Sequence, residues 1–517
     1  MDRLQRKNTG SYYTSDTVAD YIAAWAIAAG PDVLEPSFGD GAFVDALYRL
    51  GARVTGVELQ QEPYDICKKK HPDLDGVVSD FMDYEPGRMY DAVVGNPPYV
   101  SVKKLSAEDR EKALKRTASH GVEMATSGSM WMPFVVHSSE LLAPGGRLGF
   151  VLPYELAYVR YAFPLWTYLS GHFGRLRLLR IYRDIFPDVD VETVLLLCEN
   201  HGGSTFEVEY EIYEDLEKLI ASEPSNTVRV RIDEIIDMSK PFEREIIPAD
   251  VVALLDKMRQ IGRIAPLVDS CKFNIGYVSG NKDFFQISPS DIKRYRISPD
   301  NLRPALLNAK QLNPLKGIQT LGAEHDMLFY PTKIGDGERR YIKHGEKLGV
   351  DQAYKCRVRK PWYIVPGLVM PDVILTVFGD VPKLMINDGK MYASNSLLCG
   401  ATKNPKETVC AWYNSLTLLS IETSVHSLGG GTLVMIPGET DKIETLAAFP
   451  VDKVDKVFAG LCEYALTHTP EQLYLYGDDL VLKCVYGLSE KEIESIRNAR
   501  ETLRKWRLPE GRKATAG

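Results

Sequence analysis

The 517-residue chain carries 62 Lys and Arg against 70 Asp and Glu, a formal charge of −8, which excludes a globally basic nucleic-acid binder and confines any DNA contact to a local basic surface. Its eight cysteines are scattered with no Cys-x-x-Cys pair, so neither a zinc ribbon nor a disulfide framework is expected, no metal is called for, and a reducing cytoplasm is the simple reading. The length allows two or three domains with full cores, and the absence of an apolar leader or a bilayer-length run predicts no membrane partner.

In chain order, Val18, Ala19, Tyr21, Ile22, Trp25 and Ala26 recur at helical spacing after Tyr13-Thr14-Ser15, and Thr14 or Ser15 is placed to cap that helix. Val33-Leu34-Glu35-Pro36-Ser37-Phe38-Gly39-Asp40-Gly41 then reads as a strand and a glycine turn into a helix. Gly39 and Gly41 let backbone approach a ligand closely at the first crossover of a doubly wound sheet. Val54-Thr55-Gly56-Val57-Glu58 is a second strand ending in an acid, at roughly the twenty-residue interval where a carboxylate meets ribose hydroxyls. Val77-Val78-Ser79-Asp80-Phe81 ends a third apolar strand with a carboxylate and a ring; Asp80 suits an adenine amino group and Phe81 the face of the base. Taken singly, each acid is equally a solvated strand end or a helix cap.

Two features select the ligand. No Gly-x-Gly-x-x-Gly is present, and Glu35 occupies the first turn, where a dinucleotide's phosphates would need positive charge. A ligand with an ammonium group suits that turn better. An acid at the amino-acid end, an acid at the ribose, and an acid with a ring at the adenine together describe S-adenosylmethionine.

Asp91-Ala92-Val93-Val94-Gly95 is a further buried strand, and Asn96-Pro97-Pro98-Tyr99 leaves its carboxyl end, where open α/β sheets place ligands. The two prolines stiffen the turn. An Asn amide oxygen, a prolyl carbonyl and a Tyr ring side by side grip a planar group bearing an NH2, with both N–H protons accepted and the ring stacked on the plane.

This order of motifs resembles the adenine-N6 DNA methyltransferases of bacterial restriction-modification systems in their gamma arrangement, over residues 8 to about 200. The resemblance implies a Rossmann-like S-adenosylmethionine-dependent α/β sheet in a catalytic domain (1–240), then a β-rich or mixed DNA target-recognition domain (241–450) and a helical segment packed on it (451–517). It implies cofactor contacts from Tyr13, Thr14, Glu35, Pro36, Gly39, Gly41, Glu58, Asp80, Phe81 and Asn96. Catalysis falls to Asn96, Pro97, Pro98 and Tyr99, with Phe186 of Phe186-Pro187 stacking on the extruded base from the other side. Ser15 stands where the family commonly has Pro, and Asn96 favours adenine over cytosine. Expected partners are duplex DNA and, as an optional one, a separately encoded nuclease of the same specificity; a monomer is expected. The rival is an RNA or protein-glutamine N-methyltransferase, since those use the same tetrapeptide.

Beyond Ala249–Met258, which is spaced as one helix, short β-rich runs dominate. Here lies the basic surface that the global charge lacks: Arg339, Arg340, Lys343, Lys347, Lys355, Arg357, Arg359 and Lys360, interleaved with Tyr341, Tyr354, Trp362 and Tyr363, a composition suited to phosphate and base-edge contact. Of these, Arg339, Arg340, Lys355, Arg357, Arg359 and Lys360 are the expected DNA contacts. Asp380-Val381-Pro382-Lys383 reads as a turn between strands rather than a nuclease motif, and the tail from Val451 reads as helical.

Overall fold

The computed structural model describes residues 14–181, 193–237, 241–312, 317–427 and 431–508. The chain divides into two compact units, Met1–Ile246 and Ile247–Gly517.

The first unit is built on a nine-stranded sheet of order β3-β2-β1-β4-β5-β7-β6-β8-β9. Its strands are β1 (Asp32–Glu35), β2 (Arg53–Glu58), β3 (Asp75–Val78), β4 (Tyr90–Gly95), β5 (Leu142–Pro153), β6 (Phe173–Ile181), β7 (Thr193–His201), β8 (Glu207–Tyr213) and β9 (Asn226–Arg231). The first five run parallel; β7 enters antiparallel between β5 and β6. The order reverses between β1 and β4, the point at which such sheets open a crevice beyond their carboxyl ends. Val33, Leu34, Val57, Ala92, Val93 and Val94 are fully buried along these central strands, each Val or Leu contributing about 1.5–3 kcal/mol by leaving water. β3 departs from the expected apolar strand: it is the sheet edge, and Val77 and Val78 are each 37 % exposed.

Helix α1 (Asp16–Ala26) buries Val18, Ala19, Ile22, Ala23 and Ala26. Ser15 stands at its N-cap as expected, but its hydroxyl makes no capping bond. The helix lies directly on β5 because Gly149 has no side chain; a Cβ there would come within 2.8 Å of Trp25 and 3.0 Å of Ile22. Helix α2 (Ala42–Arg49) follows the glycine turn, and helix α3 (Gln61–Lys70) links β2 to β3. Helix α4 (Ala107–Ala118) and helix α5 (Trp131–Glu140) follow β4, and α5 buries all of Trp131–Ser139.

The second unit is mixed. It opens with helix α6 (Ala249–Gln260) and carries two four-stranded sheets. One pairs Lys272–Ile275, Leu397–Ala401, Val373–Thr376 and Leu384–Ile386; the other pairs Gln286–Ile287, Asp326–Phe329, Leu302–Leu306 and Tyr392–Ala393. Asp380–Lys383 is the expected turn between antiparallel strands, and Asp380 is held there by Arg504 and Arg507. The tail is helical at Val451–Ala465, Pro470–Gly477 and Glu490–Arg507 and belongs to this unit. Its last helix is anchored by Arg507, which forks onto the buried Glu422 at 2.8 and 2.9 Å.

Candidate active site

The tetrapeptide leaves β4 at the expected place, and the neighbouring strand ends fix it. Gly95 packs against the residues leaving β1, so a Cβ there would stand 3.4 Å from Pro36 and 3.6 Å from Glu35. The Asn96 amide donates from Nδ2 to Thr14 Oγ1 at 3.2 Å, which sets the orientation of the amide. Ser37 Oγ donates to the Asn96 carbonyl at 3.5 Å. Tyr99 donates its hydroxyl to the Val151 carbonyl of β5 at 3.0 Å, pinning the far end of the ring. Pro97 is buried, whereas Asn96, Pro98 and Tyr99 are half-buried. Asn96 thus stands half-buried on a rigid, proline-locked support.

Three acids gather around the glycine turn. Gly39 and Gly41 both take positive φ, 52° and 85°, which lets the chain fold back before α2. Glu58, at the end of β2, closes that turn: Oε2 accepts the Gly39 N–H and Oε1 the Gln60 N–H, each at 2.9 Å. Gly56 is needed in the same strand because the Phe38 ring lies across it, 2.7 Å from where a Cβ would sit. Glu35 is 2 % exposed, and its Oε2 has no hydrogen-bond partner among the described residues. Burial, then the nearby charges of Asp40 and Glu58, raise its pKa well above the ordinary carboxyl value, against the opposing N–H of Val44 in the first turn of α2. Asp40 is raised as well, chiefly by burial. A buried carboxyl with an unfilled oxygen among like charges favours a cation beside it. Sequence reasoning misses Asp40; its one signal is its place between the two glycines.

Asp80 is half-buried and caps a short turn, with Oδ1 accepting the Met82 N–H at 3.0 Å. The Phe81 ring, expected against the base, is 2 % exposed and packs on Phe134 and His137 at 5.0 and 4.6 Å, so little of the ring is open to a ligand. Tyr13 and Phe186 lie outside the described residues. The residues flanking the Phe186 segment, Ile181 and Thr193, stand at one end of the paired strands β6 and β7, and Thr193 pairs with Pro153 of β5.

The expected DNA contacts fall on helices rather than strands. Arg339 and Arg340 are exposed on the helix Asp336–Lys347, and Lys355 and Arg357 on the turn Tyr354–Arg357; Lys360 is exposed too. Arg359 is different. Its guanidinium donates to the Val278 and Ser279 carbonyls, and burial lowers its pKa; it is a brace between loops, because those donors are spent inside the fold. Tyr341 and Trp362 belong to the apolar core of this region, which leaves Tyr354 as the exposed ring.

Two family models match the chain. The Eco57I restriction-modification methylase model covers residues 56–171, and the model of the C-terminal domain of the type II methyltransferase M.Eco57I covers residues 239–482. Family-model and curated matches together show a type II restriction-modification methyltransferase family. Among curated relatives, M.AccI of Acinetobacter calcoaceticus is 22 % identical over 402 residues, covering 72 % of each chain. M.TthHB8I of Thermus thermophilus is 33 % identical over 130 residues, which span 24 % of this chain and 29 % of that one. The fold extends further than the sequence identity. The type IIL restriction-modification enzyme MmeI, solved in complex with DNA, superposes with a TM-score of 0.58 at 13 % identity over 98 % of this chain and 80 % of its own. Among the described residues, no group of metal-ligating side chains is present and no helix is long and apolar enough to cross a membrane.

Proposed function

We propose that the chain methylates the N6 amine of an adenine turned out of duplex DNA, using S-adenosylmethionine, as the modification enzyme of a restriction-modification system. The observation that carries this reading is the placing of Asn96-Pro97-Pro98-Tyr99 at the carboxyl end of β4, beside the buried Glu35 with its unfilled oxygen. The family matches support a methyltransferase acting on DNA, and the tetrapeptide supports an amino group as its target.

The residues present fit the cofactor. Glu35 and Asp40 offer negative charge to its ammonium group, the Gly39–Gly41 turn leaves room for backbone approach, and Glu58 and Asp80 stand at the ends of the next two strands. When bound, S-adenosylmethionine supplies a methyl group activated by a positive sulfur. The protein's task is to make a poor nucleophile attack it. The lone pair of adenine N6 is delocalised into the ring. Asn96 Oδ1 and the Pro97 carbonyl would accept hydrogen bonds from its two N–H groups, draw the nitrogen towards tetrahedral geometry and stabilise the positive charge that develops on it as the sulfur–methyl bond breaks, and one N6 proton is then lost to solvent. Neither a tuned general base nor a metal is needed for that step. Turning the base out of the duplex costs a few kcal/mol, and stacking on Tyr99, with Phe186 proposed on the other face, returns roughly 1–3 kcal/mol per ring. The exposed cations of the second unit favour a polyanionic substrate over a protein glutamine.

The test is transfer of labelled methyl from S-adenosylmethionine to duplex DNA, followed by digestion to nucleosides. N6-methyladenine is expected. Label appearing as N4-methylcytosine, or only in RNA or protein, would overturn the reading.

A further inference from the structure

The segment from Lys282 to Lys360 holds sixteen Lys and Arg against nine Asp and Glu, a surplus of seven positive charges in a chain whose net charge is −8. Its acids do not neutralise that surplus. Asp326 accepts from Gln311 Nε2, Asp291 from Ser288 Oγ, and Glu338 from two backbone N–H groups. Among the described residues of this segment, the ion pair found is Arg339 with Asp336, at 3.6 Å on an exposed helix turn.

Four of these cations and three of the acids lie on one helix, which we label α7 (Asp336–Lys347), and that helix is mounted chiefly by its inner face. Gly337 lies against the carbonyls of Tyr295 and Arg296, where a Cβ would approach to 2.5 Å, and Gly345 lies against the Phe284 and Trp362 rings, which a Cβ would meet at 2.5 and 2.8 Å. Between them, Tyr341 stacks on Phe284 at 4.6 Å and donates its hydroxyl to the Phe284 carbonyl at 2.6 Å. Glu338 is 3 % exposed; its Oε1 takes the Ser298 N–H at 2.8 Å and its Oε2 the Gly335 N–H at 3.0 Å. The approach to α7 is fixed by the buried Asn301, which accepts from the Thr332 and Lys333 N–H groups and donates to the Lys333 carbonyl.

The outer face is the reverse. Arg339, Lys343 and Lys347 are exposed at i, i+4 and i+8, so they form one stripe with about 6 Å between successive residues along the helix axis. Arg340 beside them ties α7 to the preceding helix by donating to the Tyr295 carbonyl at 2.9 Å, and that helix, Pro289–Tyr295, adds the exposed Lys293 and Arg294. A rigid helix with an exposed cationic stripe, of which Arg339 alone has an ion-pair partner among the described residues, fits the major groove of B-DNA, which admits an α-helix between two rows of phosphates.

We infer that α7 is the helix this protein lays into the major groove of duplex DNA, with Arg339, Lys343 and Lys347 meeting phosphates or guanine edges. The inference rests on the proposed function for its choice of polyanion. It moves the expected contact surface off Arg359 and onto a helix whose inner residues, Gly337, Glu338, Tyr341 and Gly345, hold it at a fixed angle.

The experiment is a salt titration of binding to a fluorescent mixed-sequence duplex by the full chain. It compares wild type, Arg339→Ala/Lys343→Ala/Lys347→Ala, and a control that removes three cations already paired elsewhere in the same unit, Lys272→Ala/Lys406→Ala/Lys483→Ala. Removing one cation that meets a phosphate lowers the slope of log K against log salt by about 0.9. The α7 variant should therefore drop by about 2 to 3 in slope and at least about tenfold in affinity at moderate salt. The control should keep the wild-type slope, and all three proteins should melt alike. An unchanged slope in the α7 variant, with wild type binding and methylating the duplex, would overturn the inference and leave the proposed function standing. Equal drops in the α7 variant and the control would overturn it as well, by showing a response to net charge. Tighter binding of single-stranded RNA than of duplex by wild type, with no methyl transfer to DNA, would overturn the proposed function itself.

Discussion

The two units handle charge in opposite ways. On the sheet of the first, Arg53, Arg177, Arg229 and Arg231 each meet a carboxylate, while Glu35 is a buried acid with an unfilled oxygen. Between Lys282 and Lys360 Asp291, Asp326 and Glu338 take neutral donors while Asp336 pairs with Arg339, and the surplus charge is positive and external. Surface ion pairs contribute about 0–1 kcal/mol each, so their presence says little. Their absence is more informative, because an uncompensated charge marks where a ligand of opposite sign completes the structure. The inner acid matches a small cation, and the outer cations match a polyanion.

The largest expected effect separates chemistry from both kinds of charge. Asn96→Ala should lower the turnover of methyl transfer by about 100- to 1000-fold, the scale for a group that stabilises charge developing in a transition state, with cofactor affinity by calorimetry nearly unchanged. Equal loss of turnover and affinity would make Asn96 a structural residue.

The next effect concerns the inner charge. Glu35→Gln removes an anion facing the cofactor's ammonium; at about 1.5–3 kcal/mol for a charged hydrogen bond, the Kd for S-adenosylmethionine should rise roughly 10- to 100-fold. Stability should move the other way. The folded-state pKa of Glu35 stands above its ordinary 4.5, so its contribution is full below that value and is lost as pH rises through the raised one. The unliganded wild type should therefore lose Tm between mildly acid and mildly alkaline pH more steeply than Glu35→Gln, and saturating cofactor should remove most of that difference. Parallel melting profiles for the two proteins would show that the acid is solvated.

The smallest effect is a control on the comparison. Arg229 is exposed and already paired with Glu207 and Glu209, so Arg229→Ala should leave the salt dependence of DNA binding unchanged and shift stability by less than about 1 kcal/mol. A lowered salt slope would place DNA on the sheet of the first unit and dissolve the contrast.

Much of the first unit is legible in the sequence because its signals are local. A strand, a glycine turn and an acid at regular intervals leave few alternatives, and Asn96, Glu35 and Glu58 stand at the strand ends where the pattern puts them. Phe81 is the exception, because a strand-end aromatic is the same in sequence whether it faces ligand or core; the deciding neighbours, Phe134 and His137, come from a helix some fifty residues on. The second unit is less legible. Its strands are short, and the basic run at 339–347 has aromatic and Gly residues where a strong helix would carry Ala and Leu. Those very residues, Gly337, Tyr341 and Gly345, are the ones that tertiary packing requires. Arg359 deceives for a related reason: nothing in a sequence shows that a guanidinium has found two carbonyls eighty residues away.

The two glycines of α7 have a consequence for how such a protein changes over time. Gly337, Glu338, Tyr341 and Gly345, which seat the helix, lie on one side of it, and Arg339, Lys343 and Lys347 are exposed on the other, Arg339 pairing only within its own helix turn among the described residues. Exchanging those side chains alters the surface offered to a duplex while the scaffold, the inner acid and the tetrapeptide stay as they are. On the proposed reading, folding and duplex contact thus rest on separate residues, and single exposed substitutions at these three positions would change the contact while leaving a folded protein behind.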